Sequence, residues 1–489
     1  MRFSIQKILL LILFFGMVWS CEKDNVNTEN DTKDKPYDAS TDQIQMDKKE
    51  IRAAWIATVS NLDWPITKGN ADAQKAELTA ELTRCQTLNF NAVIFQVRPT
   101  ADAFYPSSLE PWASYLTGVQ GQDPGYDPLK FAIDEAHRLG MEFHAWINPY
   151  RIGVTSLQLA STHVAVKNPS WVVTFNGTRY FNPGLPEVRA HLSAVVKDII
   201  TRYDVDAIHF DDYFYPSGAK STSNPFGFDD KAAFEKYGNG KDIHSWRAEN
   251  VNLMVVEINN LIKATKPGVL FGISPSGRRE NSVELYADPF VWLENKWLDY
   301  LAPQLYWEFG HATADFAKQS AFWNDNSFGI PMVIGLAAYK YKDASYPAYG
   351  SVTEFDREIE AVRNQSNLSG CFFFRMRNLE NVELFNFLKT KYIYKSVLPV
   401  MGRQTVSLPK APVVTVSGTQ LTWASVDGAK MYVVYVLEKK SKVDHVFLAH
   451  AVQLNSELKF LGVSGKSYFV TSLNEDQRES IGSTVVSVK

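Results

Sequence analysis

The feature that most restricts the fold is a regular alternation of eight strand-like apolar runs with helical patterns. The runs span residues 52–59, 91–98, 142–148, 205–210, 269–274, 298–306, 331–336 and 370–375. Helical periodicity fills residues 71–88, 128–139, 186–203, 244–264, 288–296, 312–324, 352–364 and 380–391. Such alternation predicts parallel βα units. Eight strands is the number at which side chains just fill a closed barrel, so we predict an α/β fold of the (β/α)8 TIM-barrel type over residues 49–398.

A doubly wound open sheet is the competing architecture. It would place a glycine-rich phosphate-binding turn after the first strand. The segment found there is Ser60-Asn-Leu-Asp-Trp64, which has no glycine.

The N-terminus has the pattern of an export signal. Arg2 and Lys7 precede an apolar stretch, residues 8–18, that is short for a membrane span, and Cys21 follows it. The pattern resembles a bacterial lipoprotein signal over residues 1–21, with Cys21 as the lipidation site; an ordinary secretory signal with a chance cysteine is the alternative. Residues 22–48 are polar and predict a flexible tether.

Residues 405–489 differ in character from the barrel. They lack helical periodicity and contain about seven short alternating runs with a tryptophan but no cysteine pair. This pattern predicts a small all-β sandwich of the fibronectin type III-like kind. The two cysteines that follow the signal, Cys85 and Cys371, lie in apolar surroundings and are predicted to be core residues, with no disulfide and no metal site.

Polar, acidic and aromatic residues follow nearly every predicted strand, where a TIM barrel forms its active site. They are Asn61, Asp63, Gln96, Arg98, Trp146, Asn148, Tyr150, Arg151, Asp211, Asp212, Tyr213, Ser274, Arg278, Gln304, Tyr306, Trp307, Glu308, Arg375 and Arg377. With 12 Trp and 22 Tyr in the chain, rings are available to stack on sugars. A net charge of −4 provides no electrostatic footprint for nucleic acid. The pattern predicts a glycan cleft without a cofactor.

The acid chemistry is expected in residues 205–216, where an apolar run ends in two adjacent carboxylates. Glycoside hydrolysis needs two carboxyl groups. Strand alternation places Ala207, His209 and Asp211 on one face and Ile208, Phe210 and Asp212 on the other. The first face is the better candidate for the lumen, so Asp211 is the first choice of catalytic carboxylate. Asp212 is either the second acid or a residue that orients the loop, and close carboxylates raise one pKa, which suits a general acid. Glu308 is the candidate across the cleft, unless it is a solvent-facing loop acid, and Asp63 is the weaker candidate.

The remaining strand-end residues are predicted to contact substrate. They are Asp63, Gln96, Arg98, Trp146, Asn148, Tyr150, His209, Tyr213, Gln304, Tyr306, Trp307 and Arg375. The arginines at the ends of the second and eighth strands could hold a sugar carboxylate, keep a catalytic acid ionised, or form structural salt bridges.

Six segments together resemble the glycoside hydrolase-like family 10. They are RAAWIA (52–57), FQVRP (95–99), FHAWINP (143–149), IHFDDYFYP (208–216), FGISP (271–275) and WLDYLAPQLYW (297–307), and Trp246, Arg247 and residues 249–251 also match. The resemblance covers residues 52–391. It implies a (β/α)8 barrel in an extracytoplasmic bacterial lipoprotein, and a glycosidase that acts on cell-wall glycans, in particular peptidoglycan strands without peptides. It also implies that Asp211 and Asp212 form the acid site.

The leading hypothesis is a monomeric, membrane-tethered glycosidase of the bacterial cell envelope, held to the outer membrane on its periplasmic or outer face. Its partners would be the glycan substrate and, through Cys21, the membrane. Two alternatives remain: a catalytically silent glycan-binding lipoprotein on the same barrel, and an envelope protein whose C-terminal sandwich docks to a partner.

Overall fold

The structure, a computed structural model, describes residues 43–46, 48–402, 406–439, 444–454 and 456–489. The expected signal sequence, Cys21 and nearly all of the expected tether lie outside the described residues. Residues Ile44–Lys489 form one compact unit.

Eight parallel strands form a closed barrel in the order of the chain. They are β1 (Ile51–Ile56), β2 (Ala92–Arg98), β3 (Glu142–Ile147), β4 (Ala207–Phe210), β5 (Leu270–Ile273), β6 (Tyr300–Leu301), β7 (Met332–Leu336) and β8 (Leu368–Phe373). The barrel closes where β8 pairs with β1, with Gly370 opposite Ile51 and Phe373 opposite Ala54. The predicted TIM-type barrel is therefore confirmed.

A helix follows each strand, as the sequence predicts. The helices are α1 (Ala71–Thr87), α2 (Pro128–Arg138), α3 (Pro186–Arg202), α4 (Ile243–Thr265), α5 (Pro289–Glu294), α6 (Phe316–Asp325), α7 (Thr353–Arg363) and α8 (Val382–Lys391). Several begin at side-chain caps: Asn70 accepts from Ala73 N, and Asp127 accepts from Lys130 N just before a proline at the first helical position. Such caps satisfy backbone N–H groups that the first helical turn leaves free.

Alternation along the strands divides the core in two. Ile208 and Phe210 of β4 join the large apolar layer between barrel and helices. Ala207 faces the lumen, where it packs in a second cluster with Trp55, Tyr300 and Phe372. This agrees with the expectation that the Ala207, His209, Asp211 face of β4 points inward.

The loop after β3 contains a three-stranded antiparallel sheet that sequence periodicity did not show. Its strands are Arg151–Val154, Val172–Phe175 and Thr178–Phe181, with the last in the middle. Each strand has four residues of mixed exposure, too few for a clear alternation. Short helices, also absent from the prediction, occur in the loops at Ser114–Thr117, Val164–Lys167, Lys231–Tyr237 and Arg279–Val283.

Two further sheets are formed mainly by residues that follow the barrel, with one strand, Gln43–Met46, that precedes it. One contains Val414–Ser417, Gln420–Trp423 and Lys459–Leu461. The other contains Gln43–Met46, Asp444–Leu454, Met431–Lys439, Ser467–Leu473 and Val486–Ser487, in that order. Trp423 packs against Tyr432 in their shared apolar cluster. The all-β C-terminal region is confirmed, and its fibronectin type III-like identity stays a prediction.

Cys85 and Cys371 are buried and free, and the sulfur of Cys85 lies 3.4 Å from that of Met376. Among the described residues, no helix has both the length and the apolar character needed to cross a bilayer.

Gly272 of β5 lies against the ring of Tyr300 inside the barrel, and a Cβ at this position would come within 2.1 Å of that ring. We therefore expect Gly272→Ala to lower the free energy of unfolding by about 1 to 3 kcal/mol, as overpacking does in tight cores. Chemical denaturation measures the change. Gly268→Ala, where the added methyl meets no atom within 4 Å, is the matched control and should stay near wild type. Equal stability of the two variants would contradict a tightly packed lumen.

Candidate active site

Asp211 lies just beyond the end of β4 and is held by side chains from the end of β3. The Trp146 indole donates to its Oδ2 at 2.9 Å, and the Asn148 amide lies 3.0 Å from both carboxylate oxygens. Asp211 is only 3 % exposed. Burial raises its pKa, and the nearby Arg151 charge and these hydrogen bonds oppose the shift because they favour the ionised form.

Asp212 is partly exposed and has a different environment. Burial and the charge of neighbouring Asp211 raise its pKa to about 7, against a hydrogen bond from Gln304 and the charge of Arg151. The Gln304 amide also donates to the Ser274 carbonyl at 2.9 Å, which fixes it at the end of β5. Near pH 7 Asp212 therefore carries a proton in about half of the molecules.

Arg151 is the site residue to which the sequence assigned no role. Its backbone N–H donates to the Asn148 side-chain oxygen at 2.8 Å, and its guanidinium lies 4.6 Å from the centre of the Tyr213 ring. Tyr213 is 48 % exposed. Arg151 lies three residues after Asn148 at the same strand end, which indicated that it was near the site. Because it belongs to a small sheet that the sequence did not predict, its position within the site could not be predicted.

Aromatic rings form the wall beside Asp212. Tyr306 stacks on Phe374 with ring centres 5.8 Å apart, and Tyr339 meets it edge-on at 5.7 Å. The charge of Asp212, after burial and Tyr339, contributes to the raised pKa of Tyr306, which places the two groups close together. The Lys340 ammonium donates to the Tyr306 carbonyl at 2.5 Å and so fixes the backbone of this wall. Trp307, next in the chain, is partly exposed.

The long loop after β4 is organised around Arg247 of α4. Its guanidinium pairs with Asp230 at 2.6 Å, both side chains being fully buried, and donates to the carbonyls of Ala219 and Phe228. A buried arginine with this many acceptors holds a loop in one conformation. Arg247 therefore ties the part of this loop between Ala219 and Asp230 to α4.

The site can thus present one proton and one negative charge beside an aromatic wall, which is the equipment of carboxylate acid catalysis on a sugar. Comparison with known proteins agrees. Residues 50–348 match the family described as glycosyl hydrolase-like 10.

The chain belongs to this family.

Glycosyl hydrolase YngK of Bacillus subtilis (strain 168) is 39 % identical over 394 residues, which cover 75 % of this chain and 76 % of the relative. Glycosyl hydrolase DigH of Escherichia coli (strain K12) is 34 % identical over 373 residues, or 68 % and 84 % of the two chains. Among solved structures, α-L-fucosidase isoenzyme 2 from Paenibacillus thiaminolyticus aligns with a TM-score of 0.48 at 13 % identity, over 71 % of this chain and 49 % of that one. Membership of the glycosyl hydrolase-like 10 family confirms the predicted enzyme class, a glycoside hydrolase.

In this family member, Arg98 is not placed to bind a sugar. It is fully buried and pairs with Glu110 at 2.5 Å, and it also donates to the Asn148 carbonyl. Burial alone would raise the pKa of Glu110, but Arg98 and the hydrogen bond from His191 lower it to about 2. The structure therefore favours the structural salt bridge over substrate binding: Arg98 supports the turn that carries Asn148.

Gln96 and Asp63 also have structural contacts in place of the predicted substrate contacts. The buried Gln96 side-chain oxygen accepts from the backbone N–H groups of Thr58 and Val59. Asp63, 3 % exposed, accepts from Ala57 N at 2.8 Å and from Arg375 at 3.0 Å. Together they fix the loop after β1, and both carboxylate oxygens of Asp63 accept hydrogen bonds there. Its role as the weaker candidate for the second catalytic acid stays a prediction. Arg375, tied to Asp63, keeps 22 % of its side chain exposed.

Tyr150 and His209 are buried completely, which corrects their predicted roles in substrate binding. Tyr150 lies in the apolar layer between barrel and helices. His209 lies inside the lumen, where its ring meets Tyr300, Ser274 and Trp55. Neither side chain reaches the solvent at the mouth of the barrel.

Glu308 is partly exposed. Its charge acts on Lys340 and on the buried carboxyl of Glu358. The groups that act on Asp211 and Asp212 include Arg151, Trp146, Asn148 and Gln304 together with Tyr213. The role of Glu308 as the partner acid stays a prediction. Within the described part of the chain, no group of three or more His, Cys, Asp or Glu side chains is arranged to hold a metal ion.

The raised pKa of Asp212 should appear in protein stability. Between pH 4 and pH 7 the native state keeps a proton that unfolded aspartate has released, so burial of Asp212 lowers stability as pH rises through this window. Asp212→Asn removes this effect. We expect its melting temperature to exceed that of wild type by a margin that grows from pH 4 to pH 7 and then stays constant, as measured by calorimetry.

Asp229→Asn, an exposed acid on the same loop, is the control and should show no such growing margin. A pH-independent difference between Asp212→Asn and wild type would contradict the raised pKa.

Proposed function

We propose that this protein is a lipid-anchored glycoside hydrolase that cleaves glycan strands of the bacterial cell wall, in particular peptidoglycan strands without peptides. The observation that carries the catalytic part is the adjacent pair of carboxyl groups with different environments. The substrate and location are supported by the resemblance of the six sequence segments to envelope glycosidases.

Asp212 is the general acid in this proposal. It is partly exposed at the mouth of the barrel, and its pKa of about 7 keeps a large fraction protonated at neutral pH. A protonated carboxyl can give its proton to the glycosidic oxygen as the bond breaks. Gln304 orients the carboxyl towards the cleft side of β5.

Asp211 stays ionised and stabilises the positive charge that develops on the sugar ring. The indole of Trp146 and the amide of Asn148 hold its oxygens in place, so no reorganisation is needed in the transition state. Its charge also keeps the proton on Asp212. The sequence favoured Asp211 as the principal carboxylate, and the proposal divides that role between the two, with their different hydrogen bonds and pKa shifts as its support.

Tyr213, Tyr306 and Trp307 provide the surfaces on which sugar rings stack. The rings of Tyr213 and Tyr306 lie near Asp212, Trp307 follows Tyr306 in the chain, and all three side chains are at least partly exposed. Apolar sugar faces pack on aromatic planes, and such rings lose little conformational freedom on binding.

The acid assignment predicts the pH dependence of cleavage. The soluble form lacking residues 1–21 is incubated with peptide-free peptidoglycan strands, and products are identified by mass analysis. We expect kcat/KM to fall as pH rises above about 7, because Asp212 loses its proton. Asp212→Asn should reduce cleavage by about 10²- to 10⁴-fold. Asp229→Asn should retain wild-type activity.

Saturable binding of these strands without release of products by the wild-type protein would contradict the proposed activity and favour the glycan-binding alternative. Cleavage of plant or host polysaccharides alone would contradict the proposed substrate.

The anchor is tested separately in cells. Cys21→Ser in the full-length chain should move the protein from the membrane fraction to the soluble extracytoplasmic fraction, because it removes the proposed acceptor of the lipid. Immunoblots of both fractions locate the protein, with Gly268→Ala as the matched control. Continued sedimentation of Cys21→Ser with membranes would contradict lipidation at Cys21.

A further inference from the structure

A chain of polar side chains runs through the barrel lumen. The Trp55 indole nitrogen lies 3.3 Å from His209 Nε2, and His209 Nδ1 lies 2.8 Å from the Tyr300 hydroxyl. The same hydroxyl lies 3.0 Å from His144 Nδ1, and His144 Nε2 lies 3.1 Å from a Glu142 oxygen. All five side chains are at most 5 % exposed. Glu142 begins β3, so this row of hydrogen-bonded side chains connects the bottom of the barrel with the level just below Asp211.

The Trp55 indole, at one end of this row of side chains, fixes the directions of the hydrogen bonds that His209 makes. An indole N–H can only donate, so His209 Nε2 is the acceptor. Burial lowers the pKa of His209 well below its usual value, so the ring is neutral and carries its proton on Nδ1. That proton is donated to the Tyr300 oxygen. When His144 is neutral, Tyr300 donates its own proton to His144 Nδ1, and His144 donates from Nε2 to Glu142.

At its upper end, this row of hydrogen-bonded side chains is connected to Asp211 and Asp212. The Ser274 hydroxyl lies 3.1 Å from His209 Nε2, whose single lone pair it shares with the Trp55 N–H, and 3.4 Å from the Phe210 carbonyl. The Ser274 carbonyl accepts from the Gln304 amide at 2.9 Å, and Gln304 hydrogen-bonds to Asp212. His209 is also the register partner of Trp146, which holds Asp211. A change in the His209 ring would therefore reach both carboxyl groups.

Packing alone does not explain these residues. TIM-barrel interiors are usually filled by branched aliphatic side chains, which cost no desolvation of polar groups. Two histidines and a tyrosine hydroxyl in the lumen are stable only when each partner is present, because a half-satisfied buried network is costly.

We infer that Tyr300 is a positioning residue for catalysis: with His144 and Glu142 it fixes the tautomer and orientation of His209, and through Ser274 and Gln304 this holds the general acid Asp212. The inference rests on the proposed role of Asp212. It assigns to His209 a function within the barrel in place of substrate contact.

A double-mutant cycle with Tyr300→Phe and Ser274→Ala tests the connection in the soluble form. Each removes one hydroxyl and leaves the carbon skeleton nearly intact. We expect each single variant to lower kcat about tenfold with little change in KM, because the acid is misplaced while the stacking surface is intact. Since both act through His209, the double variant should lose about tenfold, well short of the hundredfold loss of independent sites.

Tyr215→Phe is the matched control. Tyr215 is also fully buried and lies on the loop after β4, and its hydroxyl has no hydrogen-bond partner among the described residues. It should keep wild-type kcat and KM. Wild-type kcat in Tyr300→Phe, or a hundredfold loss in the double variant, would overturn the inference; absence of cleavage by the wild-type enzyme would instead overturn the proposed function.

A spectroscopic measurement on the wild-type protein requires no variant to fold. ¹⁵N NMR of labelled histidine should show the proton on Nδ1 for His209 and on Nε2 for His144. A proton on Nε2 of His209 would overturn the inference, because this nitrogen could then not accept the hydrogen bond from the Trp55 indole.

Discussion

The hydrogen bonds that Trp146 and Asn148 donate to Asp211 are the interactions on which the catalytic end of the barrel depends. A carboxylate this deeply buried is costly unless donors replace its water, and here two side chains of the neighbouring strand do so. Burial and then the charge retained on Asp211 raise the pKa of Asp212. Arg98 supports the same arrangement from below, since it binds the Asn148 carbonyl. Five residues on three adjacent segments thus take part in the arrangement that gives the two carboxyl groups different proton affinities.

Inside the barrel lumen, too, buried polar side chains are held by specific hydrogen bonds where apolar packing would be simpler. Gly272 allows the Tyr300 ring to approach the backbone of β5, and that close approach brings the hydroxyl between two histidines. An aliphatic core would avoid the desolvation of these groups, and replacing buried polar networks by apolar side chains often stabilises proteins. The arrangement is therefore better explained by what it holds in place above it than by the stability that it adds.

Much of the fold could be predicted from the sequence because it depends on local periodicity. The strand alternation of β4 places Ile208 and Phe210 outside and Ala207 inside, and the prediction is confirmed. The site was predictable only to the level of strand ends. The salt-bridge partner of Arg98 is Glu110, twelve residues away in an irregular loop. Sequence periodicity does not show such a partner, so the sequence could not decide whether Arg98 binds a sugar or forms a salt bridge.

The same limit explains other differences at the site. Glu308 lies one residue beyond Trp307, yet its charge acts on Lys340 and Glu358, contributed by later parts of the chain. Asp63 is enclosed because Arg375, over three hundred residues away, closes over it when β8 meets β1. Contacts of this kind arise from barrel closure, so a residue type at a strand end indicates a candidate, and only its long-range partners decide its role.

The inserted sheet after β3 shows how such partners can shape a binding surface. Arg151 is the first residue of a strand and pairs with Tyr180, so the backbone ladder fixes the base of its side chain. Its guanidinium lies against the Tyr213 ring, which is nearly half exposed. A cation on one face restrains an exposed ring, and under the proposed function this would lower the entropy lost when a sugar stacks on it. Arg151 therefore opposes the charge of the carboxyl pair and restrains the ring beside it.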